Sequence, residues 1–409
     1  MQQNKGTTEA FRDAGVYLVQ LIGSALSGQK ATEKPEKVAW EQVYQLAKQN
    51  SVEGLSYFGV VTLEEKPPKE MSRKWKSEVD KVLFRQLHFD EEREQILQEM
   101  RAKGLSYLPL KGIPVSGYYP EPGMRSMADN DILYGFVEEY PEGGFCVRGG
   151  SEKEQEQTIR EAQKQMVSIM KARGFKAEHL VGNHDCFLKE PFYNFEMHRQ
   201  LVDEVTNYSA YYKNPWKRAV RDDADPYLYH FSDEDEYLFL VVHLHKHFST
   251  TGCGIRNLAD VYVFLNKKGN TMDWGYLQRE LEKLGLKDFE CSMRTLSQTA
   301  FDGGKELSKK EEEILYYLLG SGTYGSMTNN VEHRVEQIAN QNGEDIGRAK
   351  RKYLLKRLFA TEEECKSHYP FFYRHWYFRP VLPLYRVIRG LIVHPENLWR
   401  EWKILRKIK

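Results

Sequence analysis

Apolar residues recur at helical spacing through the first hundred positions. Phe11, Val16, Leu18, Val19, Leu21 and Ile22 form one amphipathic stretch, and Trp40, Val43, Leu46 and Ala47 form a second. A third, over roughly 71–103, sets Trp75, Val79, Val82, Leu83 and Leu87 among dense charges, with EKPPKE at 65–70 as the loop before it. The pattern then changes. LSYLPL at 105–110, DILYGF at 131–136, HDCFLKE at 184–190 and YNFEMHRQL at 193–201 read as strands. Between the second and third lies a charged helix opened by Ser151, with Glu154 three residues on as a capping box. Strand, short helix, strand, long helix and two strands make an α+β order. From about 233 onward the spacing is helical again, with loops near 249–254, 268–273 and 302–308. These changes predict an N-terminal helical domain over 1–104, an α+β core over 105–205, a C-terminal helical domain over 206–345 and a basic helical extension over 346–409.

Composition narrows the classes. The 409 residues carry 59 basic and 59 acidic side chains, with 41% apolar and 13% aromatic residues, which is a globular balance. No apolar run approaches the roughly 20 residues that span a bilayer, and the first residues lack the basic and apolar regions of a signal peptide. Cys146, Cys186, Cys253, Cys291 and Cys365 are scattered without CxxC spacing and read as reduced thiols of a cytoplasmic protein. The zero net charge is a cancellation. Segments 105–205 and 206–345 are acidic by 5 and 6 charges, whereas 346–409 is basic by 11. That basic end mixes Arg and Lys with Tyr and Trp. It reads as a helix packed within the protein, or as a contact for nucleic acid or another anionic surface.

The candidate chemistry lies in LPLKGIPVSGYYPEPGMRSMADNDILYGF, residues 108–136. Asp129 and Asp131, two apart at the entry to a strand, point to one face and repel each other unless a cation lies between them. Paired divalent ions bridged by carboxylates are a recurrent device for displacement at phosphorus, and Mg²⁺ is the natural oxygen-liking choice. A solvated Asp-Asn-Asp turn is the plainer alternative. Lys111-Gly112 closes the preceding strand and opens a short helix, where backbone can approach a phosphate closely. Arg125 is placed to meet a triphosphate. In YNFEMHRQL, alternation puts Asn194, Glu196 and His198 on one strand face, so Glu196 supplies a third carboxylate.

Lys-Gly, a tyrosine-rich helix, an Arg and Asp-x-Asp-Ile-Leu, in that order, resemble the uncharacterised nucleotidyltransferase family of the polymerase-β-like superfamily. Gly174-Phe175, His184, Glu196-Met197-His198, Trp40-Glu41, Leu46-Ala47, His243, Lys246, His247 and Asp260 extend the resemblance over about 14–265. It implies a polymerase-β-like core, a short mixed sheet with helices, flanked by helical domains. It also implies transfer of a nucleoside monophosphate from a nucleoside triphosphate such as ATP to an acceptor hydroxyl, with release of pyrophosphate. Asp129, Asp131 and Glu196 would hold two Mg²⁺ or Mn²⁺ ions, and Glu196 would also take the acceptor's proton. Lys111, Gly112, Arg125, Lys246 and His247 are the candidates for the nucleotide. Two departures matter: Lys-Gly stands where the wider superfamily has Gly-Ser, and Glu196 stands where Asp is commoner.

Three other readings compete. His184-Asp185 suggests an HD-type metal phosphohydrolase, which needs that pair on a helix, whereas the segment alternates as a strand. His243 and His247 share a helical face as in zinc helices, but Leu244 stands where that motif has Glu. A retired nucleotidyltransferase fold would serve as a nucleotide-binding or scaffold protein. Neither the nucleotide nor the acceptor is legible.

Overall fold

The computed structural model describes residues 9–140, 143–203, 206–303, 306–362, 364–365, 369–393 and 395–408. The chain folds as two compact units, Met1–Leu244 with Ile255–Leu319, and His245–Gly254 with Gly320–Lys409.

The first unit is α+β. Helices α1 (Glu9–Ser27), α2 (Trp40–Gln49) and α3 (Glu53–Val60) pack together, and the long α4 (Lys69–Ala102) lies against α3. The start of α4 is pinned by Trp75, whose indole Nε1 donates to the Glu53 carbonyl at 2.9 Å. Its C-terminal half then turns to the sheet. There follow β1 (Ser106–Pro109), α5 (Gly112–Ser116), β2 (Asn130–Gly135), a hairpin of β3 (Val137–Glu139) and β4 (Phe145–Val147), and α6 (Glu152–Ala172). Ser151 caps α6 by accepting from the Glu154 amide. Strands β5 (Lys176–His179), β6 (His184–Lys189) and β7 (Tyr193–His198) complete a five-stranded sheet in the order β1-β2-β7-β6-β5. The pairing of β2 with β7 is parallel and the other pairings are antiparallel, so the sheet is mixed.

Alternation divides the two faces of this sheet. Tyr107, Ile132, Tyr134, Phe187, Phe195 and Met197 pack against Phe89, Ile96 and Met100 of α4 and Met166, Ile169 and Met170 of α6. The opposite face carries Asp131, Glu196, His198 and His184. Because α4 shares this core, the N-terminal helices and the sheet belong to one unit. Two expected apolar positions differ: Val16 on α1 is exposed, and Leu87 is 69% exposed. Leu87 falls where α4 passes from burying Trp75 and Val79 to burying Phe89 on the sheet side.

Beyond the sheet lie a second hairpin, β8 (Ala219–Arg221) with β9 (Tyr229–Phe231), and helices α7 (Asp233–Phe248) and α8 (Ile255–Lys268). In the second unit, helices Met327–Asn342, Ile346–Leu358 and Pro395–Lys407 enclose Val331, Val335, Ile338, Tyr353, Ile404 and Leu405. Glu401 is buried there and accepts from Arg357 Nε at 2.9 Å and Nη2 at 3.0 Å. Part of the basic C-terminal stretch is therefore packing material within its own unit. No described helix is long and apolar enough to cross a membrane.

Candidate active site

The site is built by one register. In the parallel pairing of β2 with β7, Asp131 stands opposite Glu196. Side chains directly opposite on neighbouring strands share a face, and Asp129 enters the same space from the residues leading into β2. One carboxylate oxygen from each of Asp129, Asp131 and Glu196 lies within 4.8 Å of the others. Oxygen donors at this spacing fit a hard divalent cation such as Mg²⁺.

Lys111 stands at the end of the β1–α5 link with φ at +51°, a conformation that L residues other than Asn and Asp rarely adopt. Its ammonium donates to Asp131 Oδ1, and His198 Nε2 reaches the same oxygen at 2.8 Å. Asp131 is 3% exposed. Burial alone would raise its pKa, but Lys111 and His198 outweigh that and hold it well below the usual carboxylate range. Burial likewise works against the Lys111 ammonium, yet Asp131 and Glu196 keep its pKa above the ordinary value. A cationic side chain thus occupies the carboxylate cluster. Asp129 is raised by burial and then by the charge of Asp131. The same two causes push Glu196 up to about 7. Three carboxylates therefore share one space in unequal states, with Asp131 held ionised while Asp129 and Glu196 are pushed toward the protonated form.

Two histidines border the cluster. His184 Nε2 and His198 Nε2 lie 3.7 and 3.8 Å from Glu196 Oε2. Burial, then His198 and Lys111, lower the His184 pKa to about 4, and burial followed by Lys111 lowers that of His198. Among the described residues, the groups of three or more side chains able to hold a metal are His184–Glu196–His198 and Asp129–Asp131–Glu196. His243 and His247 enter neither.

The segment between Lys111 and Asp129 is fastened to the helices that follow the sheet. Tyr118 donates to Glu236 of α7 at 2.9 Å, and Tyr119 donates to Asp260 of α8 at 2.8 Å. Arg125, expected at the triphosphate, has Nε and Nη2 committed to the Asp260 carboxylate at 2.8 and 2.9 Å. Such a bidentate fork is geometrically demanding, and Gly112 makes room for it. A Cβ on Gly112 would lie 2.7 Å from Arg125 Nη1. Beside Lys111 a cleft opens, lined by Pro109, Leu110, Pro114, His230, Phe231 and Glu236.

Arg256 was not visible as a site residue. It lies one helical turn before Asp260 on α8, donates to the Ser126 carbonyl at 3.1 Å, and has a buried Nε with no partner among the described residues. Its charge is felt by Asp129. The i, i+4 spacing to Asp260 was the available signal. Lys246 and His247 lie in the last turn of α7, beyond Leu244, among residues that cluster with the second unit. Their assignment to the nucleotide rests on the sequence resemblance. His184-Asp185 lies on β6 and not on a helix. Asp185 is fully buried on the core face, where it accepts from Tyr134 at 2.7 Å, Gln163 at 2.7 Å and Arg199 at 3.2 Å. An HD-type helix pair is therefore absent at this dipeptide.

No curated protein and no solved structure matches the chain. A family model of uncharacterised nucleotidyltransferases matches residues 36–136 and 158–302. These segments take in Lys111, Asp129, Asp131, Glu196, Arg256 and Asp260 and cover more than half of the sequence, and the chain belongs to this uncharacterised nucleotidyltransferase family.

Proposed function

We propose that the protein moves a nucleoside monophosphate from a nucleoside triphosphate to an acceptor hydroxyl, with pyrophosphate leaving. The observation that carries this reading is the convergence of Asp129, Asp131 and Glu196 within 4.8 Å on one face of a mixed sheet. These residues would hold Mg²⁺ or Mn²⁺, which when bound supplies neutralisation of the developing charge on the phosphates. Glu196 would take the acceptor's proton; burial and Asp131 raise its pKa in the metal-free chain, and a bound cation would oppose that rise. Lys111 is close enough to Asp131 to exchange that contact for a phosphate oxygen once a cation takes its place. Arg256, whose buried Nε has no partner among the described residues, would be a second donor for phosphate. Arg125 acts by position: locked on Asp260, it supports Gly112 and places positive charge behind the Lys111 turn. The cleft beside Lys111 offers apolar walls with His230 and Glu236 as polar groups, and part of the nucleotide or acceptor would lie against it.

Calorimetry tests this reading. Nucleoside triphosphate with Mg²⁺ is titrated into the wild-type chain and into Asp129→Ala/Asp131→Ala. Mg²⁺-dependent binding in the wild type and its loss in the variant are expected. No Mg²⁺-dependent triphosphate affinity in either would defeat the reading.

A further inference from the structure

The face that carries the carboxylates holds a second, chemically different donor set. His184 and His198 stand opposite each other across β6 and β7, with ring centroids 5.0 Å apart. Both Nε2 atoms converge on Glu196 Oε2, at 3.7 and 3.8 Å. These separations are too long for hydrogen bonds. They are close to the roughly 3.4 Å that separates two ligand atoms at a tetrahedral angle on bonds of about 2.1 Å.

The outer nitrogens are also arranged for coordination. His184 Nδ1 faces Asn183 Oδ1 at 3.0 Å, and His198 Nδ1 faces the Gln200 carbonyl at 3.4 Å. Both partners are acceptors and can hold a ring hydrogen on Nδ1. This leaves His184 a free lone pair on Nε2, whereas His198 Nε2 faces the Asp131 carboxylate at 2.8 Å and carries its hydrogen there until a metal displaces that contact. An acceptor facing each Nδ1 is the outer-shell pattern that orients metal-bound imidazoles. Asn183 is buried, and its carbonyl accepts from the Arg199 amide at 2.8 Å and the Gln200 amide at 3.1 Å. The loop bearing one orienting oxygen is thereby tied to the strand end bearing the other.

We propose that His184, Glu196 and His198 form a binding site for a borderline divalent transition metal of the Zn²⁺ or Co²⁺ class. Imidazole nitrogens favour these ions over Mg²⁺, which prefers all-oxygen surroundings. On binding, the metal takes the place of the His198 Nε2 contact with Asp131, and the ring hydrogen of His198 moves to Nδ1, where the Gln200 carbonyl accepts it. Neither neutral ring loses a proton to solvent, and the proton that Glu196 carries in the metal-free protein is released as its carboxylate ligates. Metal binding by these residues does not require nucleotide transfer. Where transfer also holds, the two donor sets share Glu196, and occupancy on the histidine side withdraws that carboxylate from proton acceptance.

Co²⁺ is the probe, because its visible absorption is strong in a four-coordinate site and weak in an octahedral oxygen site, and the His184→Gln variant reports the nitrogen ligand. Metal-free full-length protein is titrated with Co²⁺ in the presence of excess Mg²⁺, followed by displacement with Zn²⁺. One equivalent is expected to give a visible band in wild type and in Asp129→Ala, which lacks only an all-carboxylate ligand. His184→Gln is expected to weaken binding at least ~100-fold, and Asn183→Ala, which removes only the orienting oxygen, by about 10-fold. Asn183→Ala keeps the test decisive if His184→Gln does not fold. Equal Co²⁺ affinity in wild type, His184→Gln and Asn183→Ala would overturn the proposal, as would loss of the band in Asp129→Ala with retention in His184→Gln. Neither result bears on triphosphate binding, which is read separately.

Discussion

Glu196→Gln is expected to make the metal-free protein more stable at pH 8 and to leave it nearly unchanged at pH 5. Burial and the neighbouring Asp131 raise the Glu196 pKa from 4.5 to about 7. Between those values the folded chain keeps a proton that the unfolded chain has released. The native state therefore binds more protons, and stability falls as pH rises through this window. At about 1.4 kcal/mol per pH unit, the rise from 4.5 to about 7 sets an upper bound of ~3.5 kcal/mol above pH 7. Partial exposure of the Glu196 side chain and its coupling to Asp131 reduce this to about 1–3 kcal/mol. Glutamine has the shape of the protonated acid and can donate to Asp131 as that acid does, so the substitution removes the charge and little else. The assay is urea unfolding of both proteins in EDTA at pH 5 and pH 8, repeated with saturating Mg²⁺. The expected result is a higher urea midpoint for the variant at pH 8 in EDTA, an advantage that shrinks when Mg²⁺ relieves the repulsion in wild type. A variant equal to or less stable than wild type at pH 8 in EDTA would refute the reasoning.

Other perturbations test the supports of the site. Gly112→Ala places a Cβ 2.7 Å from Arg125 Nη1 and should cost about 1–3 kcal/mol in a thermal melt; an unchanged melt would mean that the Arg125 fork yields freely. Asp260→Ala leaves the buried Arg125 unpaired and should cost about 3–5 kcal/mol in urea unfolding, with part recovered by adding Arg125→Met. Lys111→Met removes the ammonium that sits on Asp131. Calorimetry should then show tighter Mg²⁺ binding in the absence of nucleotide, while nucleotide turnover falls by ~100-fold or more.

Much of the sheet could be read from alternation because its strands have one dry face. The segments over 105–110, 184–190 and 193–201 contain β1, β6 and β7, and 131–136 overlaps β2, which starts one residue earlier at Asn130. Glu196 and His198 were placed on one face by the same rule. The three-residue strands of the two hairpins were not legible, since three residues carry too little periodicity to stand out. Strand β5 failed for a related reason: Lys176–His179 is mostly exposed at the sheet edge and shows no apolar face. The juxtaposition that makes the site was also beyond local pattern. Asp131 meets Glu196 only through a parallel register set by the intervening hairpin, helix and strands. Arg125 looked available for phosphate because its partner, Asp260, is 135 residues away. Arg256 became visible only when α8 was placed beside the Asp129 loop.

The most direct measurement of the central claim uses each nucleoside triphosphate labelled at the α-phosphate, with Mg²⁺ or Mn²⁺, and a mixture of small-molecule, RNA and protein acceptors. Wild type is compared with Asp129→Ala/Asp131→Ala for label transfer and pyrophosphate release. Metal-dependent transfer from at least one nucleotide is predicted in wild type, with loss of ~1,000-fold or more in the variant, as expected when charge stabilisation at the reacting phosphate is removed. Equal label transfer and pyrophosphate release in the two proteins would contradict the account.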